Sequence, residues 1–291
     1  MPRTINEGFD DFHNRLKLVK TESSLVSSHR ASIEACLKSN FSMKYFFKTG
    51  SIGNGTNVNG YSDTDYFAVF PRDVLTGNSK TTLIKVKEVL VERFSTTPNI
   101  RISTPAVVIP FGDRASEITE IIPVDYIKNE GGVNIYDIPD NDGGWMKSSP
   151  TAHNSYTTGI NMALGFEAKP LIRFIKAWKF NNNVPISSFY LEMRVAKYSS
   201  QEKSIFYSID IKRILGNLID IELVSMINPS GISGVIQPCS SELNKKEVLS
   251  KLKTAYRRAC KAREEEKRGN IKEAFAWWNL LFDGKFSSYY Y

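Results

Sequence analysis

GSIGNGTNVNGYSDTDYFAVF, residues 50–70, decides the reading of the chain. It opens on a glycine-rich run and closes on an apolar, aromatic stretch with strand composition. Asp63 and Asp65 stand at the join. On a strand, residues i and i+2 point to one face, so the two carboxylates address one point. Like charges that close raise each other's pKa, and a divalent cation relieves the repulsion. Mg²⁺ takes oxygen ligands and keeps waters and substrate phosphates in its shell, so the pair reads as a metal site completed by a triphosphate. The glycines suit that substrate. Gly50, Gly53, Gly55 and Gly60 let the backbone approach and aim N–H groups at phosphate oxygens, with Ser51 and Thr56 as hydroxyl donors.

A two-metal reaction wants a third acidic group. Asp125, in EIIPVDYI, is the candidate because its strand is otherwise apolar. Glu120 stands at odd spacing from Asp125 and is expected on the opposite face.

Outward from this centre, SMKYFFKTG (42–50), DYFAVF (65–70), AVVIPF (106–111) and EIIPVDYI (120–127) read as strands. Pro123 predicts an edge, bulge or bend in the last. Ile5, Phe9, Phe12, Leu16 and Val19, then Leu25, Val26, Ile33 and Leu37, predict one long helix or two consecutive ones over 4–38. LIKVKEVLVERF (83–94) is amphipathic. Beyond about residue 150 the pattern turns helical, over 154–166, 168–182, 187–200, 208–222 and 242–283.

The chain has 291 residues, enough for one large or two modest domains. No apolar run reaches the roughly 18 residues of a membrane helix. The polar start MPRTINEGFDDFHNRLK carries no signal-peptide pattern, which predicts a cytoplasmic protein without membrane attachment. Cys36, Cys239 and Cys260 are isolated, so neither a disulfide framework nor a zinc site is expected. The net charge of +7 suits triphosphates or nucleic acid. Much of it lies in KLKTAYRRACKAREEEKR (251–268), which reads as a solvated helix face.

GS, eleven residues, DxD and a later strand aspartate resemble the polymerase-β-like nucleotidyltransferase superfamily. PLIRFIKAW (170–178), ISSFYLEM (186–193) and GNIKEAFAWWNLLFDGKF (269–286) are similar to the cGAS/DncV-like nucleotidyltransferases, the CD-NTases. The resemblance implies an α+β fold. A nucleotidyltransferase lobe with a mixed sheet and the N-terminal helix would span 1–150, a helical nucleotide-binding lobe 151–291, and the active site would lie in the cleft between them. It assigns Gly50 and Ser51 to the triphosphate, and Asp63, Asp65 and Asp125 to catalysis and two Mg²⁺ ions, with Mn²⁺ as a substitute. Lys176 and Ser188 would reach phosphates, and Phe189 would stack on a nucleobase. Asn161, in TGINMAL, is the candidate base reader. The implied activity joins nucleoside triphosphates into a cyclic di- or trinucleotide second messenger with release of pyrophosphate, in the antiphage systems called CBASS. The expected protein is a monomer that binds no long nucleic acid, with CBASS regulatory proteins as candidate partners. The animal synthase's zinc-binding insertion has no counterpart here, which argues against activation by DNA. The alternative is a template-independent RNA nucleotidyltransferase of the CCA-adding or poly(A) type.

Overall fold

The computed structural model describes residues 2–17, 24–61, 63–112, 117–232 and 234–290. The first periodic stretch forms two helices, α1 (Ile5–Leu16) and α2 (Ser24–Phe41), and Val19 lies outside the described residues. Thr4 and Glu7 close a capping box at the start of α1, satisfying N–H groups that lack helical partners. The buried stripe of α1 is Ile5, Phe9, Phe12 and Leu16, at helical spacing.

Two compact units make up the chain. One comprises Val19–Gly55 and Ser62–Ser155; the other gathers Met1–Leu18, Thr56–Tyr61 and Tyr156–Tyr291. A division near residue 150 was expected, and the last boundary falls at 155/156. The N-terminal helix differs from expectation: α1 groups with the helical unit, as does the segment 56–61.

The first unit is built on a seven-stranded sheet. Its elements are α2, β1 (Tyr45–Lys48), the single turn α3 (Gly50–Gly53), β2 (Thr64–Phe70), α4 (Ser79–Arg93), β3 (Arg101–Ser103), β4 (Ala106–Phe111), β5 (Glu117–Glu130), β6 (Val133–Pro139) and β7 (Trp145–Ser148). The strand order is β1-β2-β5-β4-β3, with β6 joining β5 and β7 joining β6. Strand β2 runs parallel to β5, and the other pairs are antiparallel. Alternation sorts the side chains into two cores. Tyr66, Ala68, Phe70 and Ile121 join Ile33 and Leu37 of α2 and Leu83, Val86 and Leu90 of α4 on one face. Phe67, Val69, Ile122, Val124, Tyr136 and Ile138 pack on the other.

Strand β5 is the spine, yet it contains Pro123. Its pairing with β4 ends at Ile121 and its pairing with β6 begins at Asp125. Pro123 falls in the interval between, so a central strand tolerates a residue without an N–H. The strands β3, β6 and β7 were not anticipated, because short polar segments such as RIS and WMKS carry little alternation.

The second unit holds α1 and the helices that follow. These are α5 (Pro150–Ala163), within which the division falls, α6 (Ala168–Asn181), α7 (Ser188–Ser199) and α8 (Tyr207–Asp220). A two-stranded hairpin, β8 (Met226–Ile227) and β9 (Val235–Ile236), precedes α9 (Glu242–Lys267) and α10 (Ile271–Leu281). The expected helix over 242–283 is broken at Gly269, whose positive φ of 81° ends α9. Phe9 and Phe12 of α1 meet Phe174 of α6, and Phe9 also meets Trp278 of α10. The basic helix α9 buries only Val248, Leu252, Ala255, Ala259 and Ala262, and Lys261, Arg263 and Arg268 pair with Glu264, Glu266 and Glu265. Cys36 is buried, Cys239 and Cys260 are half-buried, and all three are free thiols.

Candidate functional site

In the sheet unit the site begins where β1 ends. Thr49 donates its N–H to the Asp65 carbonyl at 2.8 Å, so the chain leaves the sheet beside Asp65. Gly50 then takes φ +61°, and a Cβ built on it would lie 1.8 Å from Asp65 Oδ2. Only glycine fits, because the Asp65 carboxylate occupies the space a side chain would need. Ser51 follows, half-buried, in the turn of α3. The glycine-rich start of the motif and its second aspartate are thus in direct apposition.

The register of the sheet decides the third acidic group. Asp65 pairs with Glu120 across β2 and β5, and paired residues share a face. Asp63, half-buried at i−2 from Asp65, precedes the strand, and its charge acts on Glu120. Burial pushes the Glu120 carboxyl up and the Asp63 charge pushes it further, while a hydrogen bond with Asp65 and the Arg101 charge pull it partly back. A hydrogen bond between two carboxyl groups requires one of them to hold a proton. Arg101 belongs to the same row, since Arg101 pairs with Val108, Val108 with Glu120 and Glu120 with Asp65.

Asp125, expected as the third member, is elsewhere. It pairs with Phe70, five residues beyond the Asp65–Glu120 pair, or about 16 Å at the usual strand rise. Odd spacing also turns it to the opposite face, where Arg72 holds it at 3.1 Å. Glu120 and Asp125 do take opposite faces of β5, and Glu120 is the one that pairs with Asp65. Asp63, Asp65 and Glu120 offer only hard oxygen donors, and Gly50 leaves room for the carboxylate at its side. That donor set fits Mg²⁺ or Mn²⁺. Among the described residues no group of three or more carboxylate, histidine or cysteine side chains is already arranged to hold a metal ion.

The helical unit carries the remaining candidates. Lys176 is buried at 2% exposure and forms an ion pair with Glu192 of α7. Its Nζ also donates to the Thr56 hydroxyl at 3.2 Å, and that hydroxyl donates to Glu192 Oε2 at 2.7 Å. Lys176 and Thr56, expected at a phosphate, are committed to this buried network instead, and together they fasten the loop 56–61 to α6 and α7. Asn161 is buried, and its Oδ1 accepts from the Lys169 N–H at 2.9 Å. Expected as a base reader, it instead commits this oxygen to the cap that Glu167 does not provide for α6.

Ser188 sits half-buried at the start of α7 and accepts a hydrogen bond from Lys179 Nζ at 2.5 Å. Phe189, also half-buried, packs against the helical core. Lys179 is the cation that sequence reading missed. It stands three residues beyond Lys176, about one helical turn along α6, and is half-buried where Lys176 is buried.

The family model of the Second Messenger Oligonucleotide or Dinucleotide Synthetase domain matches residues 3–161. Among curated proteins no relative matches the sequence. Among solved structures, Vibrio cholerae DncV cyclic AMP-GMP synthase, in complex with the linear intermediate 5′ pppA(3′,5′)pG, superposes with a TM-score of 0.78 at 12% identity, over 99% of this chain and 97% of that one. Escherichia coli MS115-1 CdnC with ATP gives 0.73 at 16% identity, over 97% and 98%. The same CdnC in a HORMA-deltaN complex gives 0.72 at 15%, also over 97% and 98%. At these identities the likeness establishes the α+β fold with its helical C-terminal part.

Proposed function

We infer the reaction from membership: the chain belongs to the Second Messenger Oligonucleotide or Dinucleotide Synthetase domain family and is a nucleotidyltransferase that makes a nucleotide second messenger. The product in this reading is a cyclic di- or trinucleotide. The 3′ (or 2′) oxygen of one nucleotide bonds to the α-phosphorus of the next and pyrophosphate leaves; a second such attack closes the ring.

The observation that carries this reading is the Asp65–Glu120 pair beside Gly50, with the charge of Asp63 acting on Glu120. Those three carboxylates would hold the divalent cations, so Glu120 takes the role expected of Asp125. When bound there, such cations would supply Lewis acidity for the attacking hydroxyl and charge neutralisation for the leaving pyrophosphate. Gly50 and Ser51 supply backbone and hydroxyl donors to the triphosphate. On the helical unit, Lys179 and Ser188 offer donors to a phosphate, and Phe189 offers a half-exposed ring to a base. Binding at these groups orients the two nucleotides, and little protein acid–base chemistry is needed.

The family and the fold support a place in CBASS antiphage signalling. The HORMA complex of CdnC makes a regulatory protein a candidate partner for this chain as well. Among the described residues no helix is long and apolar enough to cross a membrane.

The test is incubation with labelled triphosphates and Mg²⁺, followed by phosphatase and mass spectrometry. A phosphatase-resistant oligonucleotide is expected from the wild type and none from the Asp63→Asn/Asp65→Asn double variant. Product that appears only when tRNA is added overturns the reading in favour of an RNA-extending enzyme.

A further inference from the structure

The helical unit claims six residues from the middle of the sheet unit's sequence, Thr56–Tyr61. Their anchoring is dense. Thr56 is locked to Lys176 and Glu192, Arg173 Nε donates to the Asn57 carbonyl at 3.1 Å, and Val58 is fully buried in the helical core. The Asn59 N–H donates to the Leu16 carbonyl at 2.9 Å, and the Tyr61 N–H donates to the Val58 carbonyl at 3.1 Å. The run ends on an aromatic ring. Tyr61 stacks on Phe180 of α6 with centroids 5.3 Å apart and planes at 8°. Phe180 is seated on the core, and Lys179 Nζ lies 4.6 Å from its centroid. Yet Tyr61 itself is 43% exposed.

A tyrosine held flat against a fixed ring, on a loop pinned at Thr56, Asn57, Val58 and Asn59, has given up rotamer freedom while keeping exposed surface. Packing alone does not call for that arrangement, since burial would stabilise the ring more. It does suit a preorganised stacking surface, where the ordering cost is met before the ligand arrives.

We propose that Tyr61 is a substrate-contacting residue that stacks on the nucleobase of one of the two triphosphates. This rests on the synthase reading above and adds a second aromatic platform to Phe189. A reaction that joins two nucleotides has two bases to place, and a π face accepts any base, with purines gaining most from their larger rings. Lys179, next to the Phe180 ring and bonded to Ser188, puts a cation in the same neighbourhood for the attached phosphates.

The experiment compares wild type, Tyr61→Phe, Tyr61→Leu and Tyr61→Ala. The non-hydrolysable α,β-methylene analogues of ATP, GTP, CTP and UTP serve as calorimetric probes, and melting temperatures and synthesis assays run alongside. Tyr61→Phe should match the wild type. Tyr61→Leu keeps apolar packing on Phe180 without the π face. It should melt within a degree or two of wild type, yet bind at least one purine analogue about tenfold more weakly, with a smaller loss for pyrimidines. KM for that purine triphosphate should rise in step while kcat holds. Unchanged affinity for all four analogues in Tyr61→Leu overturns the proposal, as does a melting loss in Tyr61→Ala without any affinity loss in Tyr61→Leu. Failure of the synthase reading looks different, because the wild type itself would then yield no product.

Discussion

At residue scale, Glu120 and Asp125 carry opposite expectations. Glu120→Gln keeps the size of the side chain but removes a donor to the metal, so synthesis should fall by about two orders of magnitude or more. The same change should raise the melting temperature measured without metal. Burial and Asp63 hold the Glu120 carboxyl above its ordinary value, so ionising it in the folded protein costs stability that the neutral amide does not lose. Asp125→Asn should leave turnover near normal. An inactive Asp125→Asn beside an active Glu120→Gln in the labelled-triphosphate assay would reverse the assignment. Gly50→Ala should abolish synthesis, since its methyl would need the place of Asp65 Oδ2 at a backbone angle that alanine disfavours. The GS…DxD chemistry was legible because it is local. The third carboxylate was not. Alternation tells which residues of β5 share a face, but only the pairing of β2 with β5 tells which face and which height meets Asp65.

At element scale, helices were visible through their apolar spacing, while their polar partnerships were hidden. Lys176 in IKAW reads as a phosphate lysine until α7 brings Glu192 against it. Lys176→Met alone leaves a buried carboxylate with the Thr56 hydroxyl and should cost about 3–5 kcal/mol. Adding Glu192→Leu should recover part of that loss, which a double-mutant cycle in urea measures. A phosphate role would instead predict near-normal stability and a raised KM. The junction of α1 with α6 carries a pH dependence. His13 is held down to about 3, first by burial and then by the Arg173 and Lys17 charges. Arg173 Nη1 lies 2.9 Å from His13 Nε2, so the ring accepts and is neutral. Above the ordinary value of 6.5 this costs nothing. As pH falls below it, the unfolded chain takes up a proton that the folded one refuses, and stability drains away down to about 3. By pH 5 the loss is at most about 2 kcal/mol, reduced by solvent screening around a half-exposed ring. His13→Gln should flatten the difference between urea midpoints at pH 7 and pH 5; an unchanged difference would place the acid sensitivity elsewhere.

At the scale of the whole molecule, the change of character near residue 150 marked the helical unit, but not its full membership. Phe9, Phe12 and Val58 belong to the helical core, and no local pattern announces partners so distant along the chain. A fragment of residues 156–291 therefore lacks part of its own interior and should not melt cooperatively by circular dichroism. A peptide of residues 1–17 should at least partly restore a transition; a sharp melt of the fragment alone would show α1 to be dispensable. The two ends are stitched together: Tyr290 donates its N–H to the Pro2 carbonyl at 2.9 Å, Arg15 reaches Ser287 at 3.0 Å, and Phe9 meets Phe286. That closure sets a timetable for biosynthesis. Helix α1 leaves the ribosome well before α10 and waits for it, on the order of tens of seconds at the usual elongation rates. Through that interval its phenylalanines are sticky and unclaimed, a natural landing place for a chaperone, while the sheet completes itself around residues already made.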